Sequence, residues 1–170
     1  PLVQGAGGMV IYEAKYLDEL IKIAQANQVL TIADEVMTGF GRTGKYFASL
    51  HLTQKPDIFC LSKGITGGFL PLGVTACTQE IFNQFLSDNM FKTFFHGHSY
   101  TANPIVCAAA NASLNLLQSN EMQNNIRRIE QSHKRFIASL DSPKIKSKKV
   151  QGTILSIEIN ANESSYFNPI

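Results

Sequence analysis

The chain has 170 residues, of which 44% are hydrophobic and 16% are charged, and its formal net charge is +2. This balance is typical of a folded domain, which at this length buries roughly 70% of its unfolded surface, and it argues against disorder. A charge so near zero gives no support to a nucleic-acid or membrane partner. No apolar run approaches the ~20 residues of a membrane span and no signal peptide is recognisable, so we expect a cytoplasmic protein.

The first predicted elements are a helix and two strands. An amphipathic helix is predicted over residues 16–27, where apolar side chains recur at helical spacing. Short apolar runs at residues 29–33 and 57–61 predict buried, parallel strands. Three cysteines lie in apolar surroundings without a CxxC spacing, and we expect them to be reduced core thiols: Cys60, Cys77 and Cys107.

Each of these strands delivers a chemically useful side chain at its end. Asp34 follows the first run, and Lys63 follows the second beside Gly64. Because ligands of an open α/β sheet sit at the carboxyl ends of its strands, the acid and the amine are offered to one crevice. An amine beside an apolar strand is also expected to be partly desolvated. This pair suits pyridoxal phosphate (PLP), whose ring nitrogen needs a carboxylate and whose aldehyde needs a lysine.

Further helices and strands are predicted along the rest of the chain. A glycine-rich loop covers residues 39–44, and a strand is predicted near residues 73–78. Thr78 is expected to cap a helix over residues 79–86, and Asn103 to cap a helix that begins at Pro104 and ends near residue 118. A helix over residues 121–140 and a strand over residues 153–159 complete the prediction.

The chain is predicted to contain parts of two units. Pro143 and the lysine-rich residues 144–149 indicate a connector, which divides residues 1–142 from residues 143–170. The beginning at Pro1 and the end at Ile170 do not resemble domain borders. We therefore expect a piece of a longer polypeptide.

Two rival sites can be weighed from spacing. Gly39, Gly44 and Lys45 satisfy part of a nucleotide-binding P-loop, but Tyr46 stands where a Ser or Thr must ligate magnesium. His96 and His98 alternate on an extended segment, yet no third metal ligand has convincing spacing, so no metal site is predicted. A third interpretation is a non-catalytic piece that keeps the fold for subunit contacts.

Three motifs together carry a resemblance to a known family. Residues 32–36 read Ile-Ala-Asp-Glu-Val, residues 38–45 read Thr-Gly-Phe-Gly-Arg-Thr-Gly-Lys, and residues 62–64 read Ser-Lys-Gly. The pattern resembles the signature of class III PLP-dependent aminotransferases. That resemblance implies an incomplete large domain of the fold type I PLP-dependent transferases, an α/β fold with a mainly parallel sheet flanked by helices. The start of a small α+β C-terminal domain would follow it.

The resemblance also implies roles for single residues near the predicted crevice. Asp34 would pair with the protonated pyridine nitrogen of PLP, and Val36 would pack against the ring. Lys63 would bind the cofactor covalently and later serve the substrate as general acid and base. Arg42 belongs to residues 38–45, the signature loop, and would have either a structural or a substrate-orienting role.

A further set of implied roles falls on residues 97–99. Ser99, preceded by His98, would reach the cofactor phosphate across the interface of a homodimer, and Gly97 would line the substrate channel. The family usually has Pro-Thr where this chain has His98-Ser99, so the hydroxyl is kept while a histidine replaces the proline. From spacing alone, the hydroxyl-rich run before Asn103 is equally well explained as ordinary helix-entry chemistry.

Two stretches narrow the resemblance within the family. Residues 3–9 and residues 96–114 resemble the members that act in biotin synthesis. These transfer an amino group from S-adenosylmethionine to 8-amino-7-oxononanoate, which gives 7,8-diaminononanoate. Members that use ornithine, acetylornithine, γ-aminobutyrate or glutamate-1-semialdehyde are the alternative. Family members are longer than this chain, which lacks their N-terminal phosphate loop and most of their C-terminal domain, so we expect the piece alone to be inactive.

Overall fold

The computed structural model describes residues 2–160 of the chain. Helices and strands both occur along these residues, as the sequence predicts. The helices are α1 (Ala14–Ala26), α2 (Gln79–Asn83), α3 (Pro104–Gln118) and α4 (Asn120–Ser139). The strands are β1 (Val3–Gln4), β2 (Val10–Ile11), β3 (Ile32–Asp34), β4 (Ile58–Leu61), β5 (Val74–Cys77), β6 (Ile145–Gln151) and β7 (Ile154–Ile159).

The sheet that matters for the site has three strands in the order β3-β4-β5. Strands β3 and β4 are parallel, with Asp34 opposite Cys60, which confirms the predicted direction of the first pair. Strand β5 is antiparallel to β4. Two further pairs, β1-β2 and β6-β7, are antiparallel and form sheets of their own. Within the described residues, the mainly parallel sheet is therefore represented by a single parallel pair.

Helix boundaries follow the capping residues. The Asn103 side chain accepts a hydrogen bond of 3.0 Å from the Ile105 backbone, and Pro104 begins α3, as predicted. The Ser119 side chain caps α4 in the same way, at 3.2 Å from the Met122 backbone nitrogen. Thr78 precedes α2 but makes no side-chain cap hydrogen bond, and α2 is shorter than predicted. A missing cap is one physical reason for a helix of only five residues.

The prediction of a lysine-rich connector is wrong in its structure, because residues 145–151 form strand β6. Here the lysines have partners that hold them in a regular element. Lys146 forms an ion pair of 2.6 Å with Glu158 across the β6-β7 hairpin. Lys148 donates to the carbonyls of Ile137 and Leu140 at 2.9 and 2.7 Å, and so satisfies two carbonyls at the end of α4. The predicted boundary between two units at residue 143 stays a prediction, and residues 161–170 lie outside the described part.

The core is smaller than the composition predicts. The chain exposes 12356 Å², whereas a self-contained protein of 18.7 kDa exposes roughly 8,300 Å². Apart from proline and glycine, only six apolar residues among those described are buried, namely Leu2, Val3, Ile21, Ala48, Leu117 and Ile126. Cys77 is exposed, so it is not a core thiol, while Cys60 and Cys107 are half-buried. No helix in residues 2–160 is both long and apolar enough to cross a membrane.

A buried carboxylate ties α1 to the segment before β4. Asp18 accepts hydrogen bonds from the backbone nitrogens of Thr53 at 2.9 Å and Gln54 at 2.8 Å. The Gln54 backbone bond holds the pKa of Asp18 below its usual value, although burial opposes this shift. A lowered folded-state pKa means that the stabilisation is present above about pH 4 and is lost as the pH falls through the folded pKa.

We therefore expect Asp18→Asn to lower the melting temperature at pH 7 and to flatten its dependence on pH below about pH 4. Thermal unfolding followed between pH 7 and pH 2.5 measures both effects. Glu19→Gln, which removes the same charge from the exposed neighbouring position, is the control. A melting temperature that falls as steeply below about pH 4 in Asp18→Asn as in the wild type would contradict the role given to Asp18.

Candidate functional site

The parallel pairing of β3 and β4 brings Asp34 and Lys63 to the same edge of the sheet. Asp34 is the last residue of β3 and lies opposite Cys60, and β4 ends at Leu61, two residues before Lys63. Both side chains are exposed. Asp34 and Lys63 therefore both follow the carboxyl ends of neighbouring strands, and their joint action in one site stays a prediction.

Asp34 is oriented by its own backbone. Its Oδ1 atom accepts a hydrogen bond of 3.0 Å from the Val36 backbone nitrogen, which closes a short turn directly after β3. The second carboxylate oxygen makes no hydrogen bond among the described residues. Val36 is half-buried at the same turn. The acid is thus held by one oxygen and can offer the other to a ligand.

Lys63 occupies an unusual backbone conformation. It opens a 3₁₀ helix, Lys63–Thr66, with a φ of 47°, in the left-handed region that non-glycine residues rarely adopt. Such a conformation costs about 1 kcal/mol or more and persists where the surroundings determine it. Here the Ser62 hydroxyl donates to the Leu72 carbonyl at 2.7 Å and the Ser113 hydroxyl of α3 donates to the Gly64 carbonyl at 3.3 Å. The amine is exposed, so the expected desolvation of Lys63 is wrong for this structure.

A close contact joins the signature loop to the turn that carries Lys63. A Cβ atom on Gly64 would lie 2.8 Å from the Cβ atom of Phe40, so only glycine fits at this position. Phe40 has a φ of 58° and packs edge-to-face on Phe47, with 5.4 Å between ring centroids. The signature loop and the 3₁₀ helix that begins at Lys63, which we call the lysine turn, therefore hold each other in place.

Beside Lys63 lies an open groove of about 820 Å³. Its walls come from the loop, the lysine turn and the face of α3, and most of them are apolar. Arg42 and Lys63 are the cationic side chains among its lining residues. The groove leaves room for a small molecule next to the amine.

Residues 97–99 are exposed and lead into a turn, residues 99–102, that precedes α3. The Thr101 hydroxyl accepts a hydrogen bond of 3.0 Å from the His98 backbone nitrogen, and His98 Nδ1 accepts one of 3.1 Å from the Tyr100 backbone nitrogen. Gly97 and Ser99 are exposed. Among the described residues no hydrogen bond joins residues 97–99 to Asp34 or Lys63.

The rival P-loop lacks the required local structure. The Lys45 amine donates to the Leu50 carbonyl at 2.9 Å, and the segment continues into a 3₁₀ helix, Ala48–His51, instead of an α-helix. A phosphate-binding loop needs the N-terminus of an α-helix and a free lysine. No cluster of three or more possible metal ligands occurs between residues 2 and 160.

Sequence reasoning missed two features that support the site. Glu35 directly follows the exposed Asp34 in the sequence, but its side chain is only 1% exposed. The turn between β6 and β7 also contacts the signature loop: the Thr153 backbone nitrogen donates to the Arg42 carbonyl at 2.9 Å, and the Gln151 side chain donates to the Thr43 carbonyl at 3.0 Å. A period-two strand places adjacent residues on opposite faces, and this was the one available signal that Asp34 and Glu35 differ.

The Thr43 carbonyl has a second side-chain neighbour. His51 Nε2 lies 3.1 Å from it. Burial, and next the nearby charge of Lys45, lower the pKa of His51 from its usual value. The ring is thus favoured in its neutral form, in which a protonated Nε2 still donates to the carbonyl.

Comparison with known proteins gives a consistent result. The family model described as aminotransferase class-III matches residues 1–168. The adenosylmethionine-8-amino-7-oxononanoate aminotransferase of Synechococcus elongatus is 47% identical over 171 residues, which covers 100% of this chain and 40% of that protein. The chain therefore spans about 40% of the length of this curated relative.

Solved structures with the same backbone arrangement extend the comparison. The adenosylmethionine-8-amino-7-oxononanoate aminotransferase of Methanocaldococcus jannaschii is 38% identical, with a TM-score of 0.80 over 93% of this chain and 37% of that chain. A structure described as a transaminase with L-Ala is 28% identical, with a TM-score of 0.85 over 93% of this chain and 38% of that one.

Proposed function

Because the chain belongs to the class III aminotransferases, which depend on PLP, we propose that it forms the central part of the cofactor site of a longer aminotransferase. The single observation that carries the proposal is the placement of Asp34 and Lys63 at the carboxyl ends of two paired parallel strands. The Synechococcus elongatus relative is more than twice as long as the part that matches this chain. We therefore propose that further polypeptide completes the site.

The residues at this edge fit PLP by their chemistry. Asp34 keeps one carboxylate oxygen for a protonated ring nitrogen, and Lys63 offers an exposed amine for the aldehyde. When bound, PLP supplies an electron sink that stabilises negative charge on the substrate carbon. Val36 lies next to Asp34, where its side chain would support the ring face. Lys63 would hold the cofactor and then move a proton at its Nζ atom.

Residues 97–99 would complete the site in a homodimer. Ser99 and His98 would reach the cofactor phosphate of the partner subunit, and Gly97 would line the substrate channel. Their exposure and their lack of hydrogen bonds to Asp34 or Lys63 support a role at an interface between subunits. The many exposed aromatic side chains nearby support it as well, among them Phe91 at 91% and Phe95 at 81% exposure. We propose a cytoplasmic location for the assembled enzyme.

The proposed reaction is the transfer of an amino group from S-adenosylmethionine to 8-amino-7-oxononanoate in biotin synthesis. The names of the relatives at 47% and 38% identity support this substrate pair. By itself, the 170-residue chain is expected to bind PLP weakly and not to turn over. The large exposed surface described above is consistent with the need for further polypeptide to complete the site.

Asp34→Asn is expected to weaken PLP binding by roughly 10-fold to 100-fold, because a charge-assisted hydrogen bond contributes about 1.5–3 kcal/mol. Titration of the complete polypeptide with PLP, followed by cofactor absorbance, measures the effect. Asp141→Asn removes an exposed charge between α4 and β6 and serves as the control. Equal PLP affinity in the two variants would contradict the pairing of Asp34 with the cofactor.

A further inference from the structure

Glu35 is the most deeply buried charged side chain among the described residues, and both of its carboxylate oxygens accept hydrogen bonds. Its Oε2 atom accepts hydrogen bonds from the Ala48 backbone nitrogen at 2.7 Å and from the Thr38 hydroxyl at 3.1 Å. Its Oε1 atom accepts one from the Ser49 backbone nitrogen at 2.7 Å. Three donors thus converge on one carboxylate. The two backbone donors lie 13 and 14 residues after Glu35 in the chain.

The backbone of Glu35 is fixed at the same time. Its nitrogen donates to the Cys60 carbonyl at 2.9 Å, which continues the β3-β4 pairing for one residue after Asp34. Its carbonyl accepts a hydrogen bond of 2.9 Å from Gly39, the first glycine of the signature loop. Glu35 therefore connects the strand that ends in Asp34, the strand that leads to Lys63, and both ends of the loop between residues 36 and 49.

Only a carboxylate can satisfy this arrangement. A glutamine has one acceptor oxygen and one NH₂ group, so in either orientation its NH₂ would face a backbone N–H of Ala48 or Ser49. Two donors would then oppose each other in a site from which water is excluded. Aspartate is one methylene shorter and would not span the same three donors. The geometry demands both the charge and the length of glutamate.

We propose that Glu35 is a positioning residue for the cofactor site, which holds Asp34 and the signature loop in the orientation that binds PLP. This inference rests on the proposed function. The route is short: Glu35 adjoins Asp34, and the loop that it closes carries Phe40, which packs on Gly64 beside Lys63. Adjacent strand residues face opposite ways. Glu35 therefore holds the end of β3 from its buried face, while Asp34 lies on the exposed face.

Asp18 provides a matched control within the chain. It too is a buried carboxylate, 9% exposed, that accepts backbone hydrogen bonds from two successive residues, Thr53 and Gln54. It contacts neither Asp34 nor the signature loop. Glu35→Gln and Asp18→Asn therefore remove the same kind of interaction, but only the first lies next to the proposed site.

The experiment compares these two variants in the complete polypeptide with PLP as the probe. We expect both to lower the melting temperature, whereas only Glu35→Gln raises the dissociation constant of PLP, by about tenfold or more, for a loss of ~1.4 kcal/mol. Only Glu35→Gln is also expected to shift the pH midpoint of the bound cofactor's absorbance, because a displaced Asp34 holds the ring proton less tightly. Amide hydrogen exchange at Ala48 and Ser49 should be faster in this variant.

Thr38→Val supplies a milder test should Glu35→Gln fail to fold. It removes one of the three donors and leaves the carboxylate with two, so a smaller change in the same direction is expected. Equal PLP affinity and equal pH midpoints in the Asp18→Asn variant and the Glu35 or Thr38 variant would overturn the inference and leave the proposed function intact. A wild-type polypeptide that does not attach PLP to Lys63 would overturn both.

Discussion

Replacing Lys63 with alanine is expected to abolish covalent attachment of PLP and to reduce transamination by at least about 10⁴-fold. Under the proposed function, the change removes the amine that would bind the cofactor aldehyde and, at the same atom, the group that would move the proton on the substrate. The fold should tolerate the change, because the turn is held by hydrogen bonds of Ser62, Ser113 and Gly64 rather than by the lysine side chain. Single-turnover kinetics of the complete polypeptide measure the loss.

Lys55→Ala is the matched control for this variant. Lys55 is exposed and precedes the same strand, β4, at the opposite end from Lys63. The Lys55→Ala variant should retain wild-type activity, since the amino ends of the strands lie away from the site. A Lys63→Ala enzyme that keeps a tenth of the wild-type rate would exclude Lys63 as the catalytic amine.

Gly152→Ala is expected to destabilise the chain by about 3 kcal/mol or more, the largest effect on folding that we predict. Gly152 has a φ of 59°, which costs an alanine roughly 1–2 kcal/mol. An added Cβ atom would also overlap the backbone of Gly44 and Thr43 and lie 2.7 Å from the Arg42 carbonyl. Overpacking against backbone adds about 1–3 kcal/mol. Because the contact joins the β6-β7 turn to the signature loop, PLP binding should weaken as well.

Two other glycines separate the causes of this effect. Gly68 has a φ of 84° but open space around it, so Gly68→Ala should cost only the conformational strain of about 1 kcal/mol. Gly73 has neither a positive φ nor a neighbour, and Gly73→Ala should change stability by less than about 0.5 kcal/mol. Chemical unfolding of the three variants ranks them. A Gly152→Ala chain as stable as Gly68→Ala would disprove the clash with the signature loop.

Local patterns were sufficient to predict most of the elements and the parallel pair that precedes Asp34 and Lys63. Apolar runs indicated where β3 and β4 end, and the general geometry of parallel strands then indicated that both residues follow the same edge of one sheet. The cap at Asn103 and the proline after it marked the start of α3 because both act within one helical turn. Such features depend on residues close in sequence, which is why one sequence reveals them.

Features that depend on distant contacts could not be predicted in this way. The lysine-rich segment forms β6 because it pairs with β7 and because Lys148 caps α4, and neither partner is visible from its composition. Glu35 is buried because two backbone amides that follow much later in the chain turn toward it. The small core reflects surfaces left exposed, which average hydrophobicity does not reveal.

The most direct test of the central claim is borohydride reduction of the polypeptide with PLP, followed by peptide mapping. Reduction makes the link between lysine and cofactor permanent, so the mapped peptide identifies the amine that formed it. We predict a pyridoxyl group on Lys63 alone in the complete polypeptide, and scattered labelling of surface lysines if the isolated chain cannot form a working site. A complete polypeptide labelled elsewhere, with Lys63 unmodified, would contradict the assignment of this chain to a PLP site built on Asp34 and Lys63.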